Sequence, residues 1–197
     1  MQIMTPRGPA LVEVDAVAGP RFMLVLTHGA GGGVESADLL AVRDAVNGIG
    51  GVVVRVVQPF RLAGARAPGS AAAQDEAWTA LVRDLRRWYP GLTLVQGGRS
   101  NGARVACRTA LAVGAEAVVA LAFPVHPPGR PERSRAGELR GAGVDVLAVS
   151  GDRDPFGVPE EADTARLVVL PGENHDLDKK PARVGETVAD WLGRRLG

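Results

Sequence analysis

Cysteine is nearly absent from this chain: Cys107 stands alone among 197 residues, so no intrachain disulfide can form. An excess of either charge is missing too. Lys and Arg number 23 against 22 Asp and Glu, a formal net charge of +1, which lacks the basic balance of a nucleic-acid partner. No apolar run nears the roughly 20 residues that cross a bilayer. The first residues also lack the basic stretch and sustained apolar run of a signal peptide, so the expectation is a cytoplasmic protein with no membrane contact. Three histidines and one cysteine, without H-E-x-x-H or C-x-x-C spacing, disfavour a metal site; no cofactor is expected. The glycine run ending at Gly33 fails the dinucleotide fingerprint, because G-x-G-x-x-G from Gly29 would need glycine at Val34, and no Gly-Lys-Ser/Thr follows for a phosphate loop. No internal repeat or low-complexity tail is present. What remains, 46% hydrophobic, reads as one domain over 1–197, long enough for a full core.

Apolar runs and helical periodicities alternate along the chain. Leu11 to Val17 alternates apolar and polar residues, the pattern of a half-exposed strand at a sheet edge. The runs 22–27, 52–57, 94–98, 117–123, 144–150 and 165–170 are apolar almost throughout, as parallel strands covered on both faces are. Between them, Leu39, Val42 and Val46, then Trp78, Leu81, Val82 and Leu85, then Val184, Val188 and Leu192 recur at helical spacing. Pro59 to Ala73 and Pro124 to Arg135 read as long proline-rich loops. Together these imply an α/β protein with a doubly wound, mainly parallel sheet and no helical insertion long enough for a large lid. Ligands of such sheets bind beyond the carboxyl ends of the strands.

Three loops at strand ends carry the chemistry. Gly98-Arg99-Ser100-Asn101-Gly102 fits the G-x-S-x-G nucleophile elbow between a strand and an alanine-rich helix. An aspartate at 152 or 154 and then His175 follow the next two strands, in the order Ser, Asp, His of an α/β-hydrolase. A serine hydroxyl needs a neutral imidazole to take its proton and a carboxylate to hold that imidazole's tautomer. The glycine loop at His28-Gly29-Ala30-Gly31 and the residue after the serine supply backbone N–H groups where an oxyanion would form, which nominates Ala30 and Asn101. His28 is expected to orient that loop by hydrogen bonding, and Trp78 and its helical partners to be core.

Thr27-His28-Gly29-Ala30-Gly31, Gly97 to Gly102, Phe123 to Gly129, Gly151 to Gly157 and Asn174-His175 together resemble the small, lidless α/β-hydrolases of the testis-expressed and dienelactone-hydrolase-like group, from about Phe22 to Trp191. The resemblance implies Ser100 as nucleophile, Asp154 as acid and His175 as base. Pro155 points the same way, since it favours an extended, restricted Asp154, whereas Asp152 is better placed to bond the turn's amides. One departure from that group is Asn101 and Ala103, where relatives usually carry Met and Gly; the Asn101 amide stands where it would crowd or supplement the oxyanion site.

The expected activity is hydrolysis of a small-molecule ester or thioester through an acyl-enzyme, with Phe60, Phe123, Phe156 and Arg99 as substrate-binding residues in an open site for short acyl groups. It should rise with pH as His175 becomes neutral. Arg61, Arg66, Arg130 and Arg133 fall in or beside the mouth loops as well. A second class of reading keeps the fold as a protein-interaction module with a vestigial triad, since a fold alone does not establish activity.

Overall fold

The computed structural model describes residues 1–196. Its strands are β1 (Gln2–Thr5), β2 (Gly8–Asp15), β3 (Phe22–Thr27), β4 (Gly51–Val57), β5 (Thr93–Arg99), β6 (Ala117–Leu121), β7 (Asp145–Gly151) and β8 (Arg166–Leu170). They form one sheet in the order β1-β2-β4-β3-β5-β6-β7-β8. β3 to β8 are parallel, and β1 and β2 are antiparallel to their neighbours. β3 and β6 are buried at every position, as their unbroken apolar sequence requires. β2 corrects the expectation of an edge strand: it pairs on both sides, with β1 outside it. Alternation reports which face of a strand is covered and is blind to a neighbour in the plane of the sheet.

Helices cover both faces. α1 (Ala37–Gly48) and α6 (Pro181–Leu196) bury Leu39, Val42 and Val46 against Val184, Val188 and Leu192 on one side, over β3, β6 and β7 side chains. On the other side, α3 (Ala71–Trp88) and α4 (Asn101–Val113) pack Trp78, Leu81, Leu85, Ala103 and Ala106 over Met23, Val54 and Val118. Trp78 is core, and its indole N–H donates to Gln96 Oε1 at 2.8 Å, while Gln96 Nε2 donates to Ala106 O at 2.6 Å. That buried amide in β5 therefore ties α3 to α4. The long loop expected over Pro59 to Ala73 is shorter than its sequence suggests. α2 (Pro59–Leu62) starts on a proline, which suits a first helical position, and α3 begins at Ala71, where Ser70 Oγ accepts from Ala73 N at 3.2 Å. α5 (Ala136–Arg140) closes the Pro124 to Arg135 loop. No helix among the described residues is long and apolar enough to cross a membrane.

The chain leaves β3 toward β4 on one side and later places β5 on the other, so the β3 and β5 loops diverge at their carboxyl ends. This reversal opens the crevice in which sheets of this kind hold ligands.

Candidate functional site

Ser100 sits at that crevice with φ 54 and ψ −114, a conformation that costs a non-glycine residue roughly 1–3 kcal/mol. Neighbouring backbone holds it there: Ser100 N donates to Leu121 O at 2.9 Å, and Arg104 N donates to Ser100 O at 3.2 Å. The flanking glycines have a steric reason. A Cβ on Gly98 would lie 2.6 Å from Thr27 O, and one on Gly102 would lie 2.7 Å from Thr27 O and 2.8 Å from His28 O. The elbow can press against the end of β3 only because both are bare.

His175 reaches the serine from the loop after β8. Its Nε2 is 2.9 Å from Ser100 Oγ, and its Nδ1 is 2.8 Å from Asp154 Oδ2. The Asp154 carboxylate is fully buried, and its other oxygen accepts from Phe156 N at 2.8 Å. Asp152 takes no part in this chain of bonds and instead accepts from Gly172 N at 2.7 Å. Phe156 lies against the imidazole, ring centroids 4.2 Å apart at 30°.

His28 is wholly buried. Its Nε2 accepts from Gln58 N at 3.0 Å, so the proton of the neutral ring is on Nδ1, which donates to Gly29 O at 2.7 Å. Burial, aided by Arg61, holds its pKa below the ordinary histidine value against the opposing bond to Gly29. The C=O and N–H of a trans peptide point in opposite directions; anchoring Gly29 O on His28 therefore turns the Ala30 N–H away from that ring. Neither Ala30 N nor Asn101 N has an acceptor among the described residues, and both residues line a cleft of about 610 Å³ with Ser100, Arg99, Arg104, Pro124, Arg135, Phe156, His175 and Asp176.

A family model described as an alpha/beta hydrolase domain matches residues 20–195. The chain belongs to the α/β-hydrolase family. Its structure is similar to that of an α/β serine hydrolase without a lid from Xanthomonas campestris, with TM-score 0.76 and 21% identity over 99% of this chain and 93% of that one. An α/β serine hydrolase homologue from Coxiella burnetii gives TM-score 0.79 and 19% identity over 98% and 96%. A highly thermostable carboxyl esterase from Bacillus coagulans, in complex with glycerol, gives 0.78 and 13% over 100% and 98%. At these identities the likeness concerns the fold. No curated protein matches the chain in sequence.

This α/β-hydrolase-family chain brings Ser100, Asp154, His175, Ala30, Asn101, Phe156 and Arg99 to one place, and two expected substrate contacts elsewhere. Phe123 is fully buried in the core with Leu139 and Ala103: the chain bends at Ala122, φ 43, and sends the ring inward. Phe60 does not line the cleft and packs against His28, centroids 5.7 Å apart. Arg99 lines the cleft, yet its guanidinium is occupied: it pairs with Asp176, donates to His175 O at 3.4 Å and lies 3.6 Å from the buried Asp38. Burial pushes the Asp38 carboxyl up, against the pull of Ser36 and Arg99. Asn101's carboxamide is held by Gln74, Nδ2 to Oε1 at 2.8 Å. Of the mouth arginines, Arg61 donates to Gly31 O at 3.4 Å, while Arg66, Arg130 and Arg133 are exposed and off the cleft wall. Arg104, Arg135, Asp38 and Gln74 were not foreseen; their placement depends on contacts between segments far apart in sequence, for which no local pattern exists. Asp176 was foreseeable from its position beside His175.

Proposed function

We propose that this protein is a serine hydrolase that cleaves a small ester or thioester through an acyl-enzyme on Ser100. The observation that carries the reading is the continuous bonding Ser100 Oγ, His175 Nε2, His175 Nδ1, Asp154 Oδ2 at 2.9 and 2.8 Å. His175 Nε2 accepts the Ser100 proton as Oγ attacks the substrate carbonyl carbon. The buried Asp154 carboxylate holds the tautomer and stabilises the imidazolium. The carbonyl oxygen becomes an oxyanion, held by the Ala30 and Asn101 N–H groups, which have no protein acceptor to compete with it. Collapse expels the alcohol or thiol, which takes its proton from His175, and water, activated by the same imidazole, hydrolyses the acyl-serine. The quoted motifs support membership of the testis-expressed and dienelactone-hydrolase-like group.

Among the described residues no long helical insertion lines the cleft, and the segment after β6 contributes only Pro124 and Arg135 to it before the five-residue α5, so short acyl groups suit the site. The test is kcat/KM on p-nitrophenyl acetate, butyrate and laurate with Ser100→Ala beside the wild type. The expected results are faster turnover of acetate or butyrate and a loss of at least ~10⁴-fold in the variant. Preference for laurate would refute the short-acyl site, and activity retained by folded Ser100→Ala would refute the nucleophile.

A further inference from the structure

Three guanidiniums, Arg104, Arg108 and Arg135, stand near two carboxylates, Asp75 and Glu138, and of these five groups only Arg104 and Arg135 line the cleft. Arg104 binds Glu138 through two bonds, Nε to Oε2 at 2.8 Å and Nη2 to Oε1 at 2.6 Å. Arg108 binds Asp75 at 2.7 Å and reaches Glu138 at 3.4 Å. Arg135 is left over. Its guanidinium has no carboxylate partner among the described residues, and its one side-chain hydrogen bond among them is a long one from Nη1 to Pro124 O at 3.5 Å. It is half-buried, and burial, with Arg104 and Arg133 nearby, depresses its pKa against the pull of Glu138.

The backbone beneath it is fixed. Arg135 N donates to Val125 O at 2.6 Å, so the residue is tied to the start of the loop that leaves β6 beside the elbow. Partly desolvating a cation without a counter-ion is costly, and the remaining N–H groups form the planar fork that matches a carboxylate. The cleft's other cations do not compete, because Arg99 is held by Asp176 and Arg104 by Glu138.

We propose that the substrate carries a free carboxylate close to the scissile ester, and that Arg135 binds it. The proposal rests on the serine-hydrolase reading and deepens it to a substrate class, carboxylate-bearing monoesters such as the half-esters of dicarboxylic acids. A single unmatched guanidinium favours one negative charge over the two of a phosphate monoester. Arg135 is here a specificity residue, and bond making and breaking stay with Ser100 and His175.

Two matched pairs of esters test it. Mono-4-nitrophenyl glutarate against 4-nitrophenyl butyrate puts the carboxylate on the acyl side, and 4-acetoxybenzoate against 4-acetoxybenzamide puts it on the leaving-group side. The wild type should favour the charged member of one pair in kcat/KM by at least about tenfold. A bidentate ion pair is worth one to two decades. Arg135→Gln should abolish that preference while leaving the neutral member within about twofold, and Arg135→Glu should reverse it. Equal kcat/KM within both pairs, or an equal loss on charged and neutral members in Arg135→Gln, overturns the proposal while the hydrolase reading stands. Absence of turnover of all four esters, with no covalent labelling of Ser100 by a fluorophosphonate, overturns both.

Discussion

Asp154 and Asp152 lie two residues apart and do different things: one holds His175 from a buried position, and the other accepts a bond from the Gly172 amide at the surface. Asp154→Asn is expected to lower kcat by about 10⁴-fold, because an amide that donates where the carboxylate accepted favours the wrong tautomer. Asp152→Ala should leave kcat within a small factor. Steady-state kinetics on both variants, with folding checked by circular dichroism, decides this; a larger kcat loss in Asp152→Ala would reassign the acid. His28 makes a thermodynamic prediction instead. Its folded pKa lies below the ordinary 6.5, so between the two values the unfolded chain binds a proton that the folded one refuses. The stability held by the neutral ring is fully present above 6.5 and is lost as pH falls below it toward the folded value. Urea unfolding across that range should show the loss in the wild type and a flatter profile in His28→Gln; identical slopes would show that His28 is not the group responsible.

The elbow and the end of β3 are built as one unit, since Gly98 and Gly102 both face Thr27 O at distances no side chain allows. Gly98→Ala must push β5 away from β3, and overpacking of this kind costs roughly 1–3 kcal/mol. A denaturant midpoint unchanged from wild type would show that the contact is looser than this. Much at this scale was readable beforehand. Most of the apolar runs became buried strands because a parallel strand covered on both faces must be apolar on both, but the run 165–170 became β8 at the sheet edge, where only Leu170 is buried and Val169 is exposed; the three periodic segments became α1, α3 and α6. The misses have physical causes. β1 and α2 are four residues each, too short to show a period. Phe123 belongs to a run that is apolar to its end, and only the bend at Ala122 decides which way its ring turns. The Ser, Asp, His order was legible because each residue lies at or shortly after the carboxyl end of a strand, whereas Arg135 was not, since its meaning lies in which carboxylates its neighbours have already taken.

Across the whole molecule, the reversal of strand order between β4, β3 and β5 sets the His28 loop beside the elbow, while β7 and β8 deliver Asp154 and His175 from the same edge. Segments separated by 75 positions in sequence therefore meet within one hydrogen bond, and the central claim is that this meeting makes Ser100 a nucleophile. The most direct test is intact-mass measurement of the folded protein after treatment with a fluorophosphonate. The expected result is one adduct per chain, mapped by peptide digestion to Ser100 and absent in Ser100→Ala. Folded wild-type protein that takes up no label, or takes it up equally in Ser100→Ala, would contradict the claim and leave a hydrolase-like scaffold without a working nucleophile.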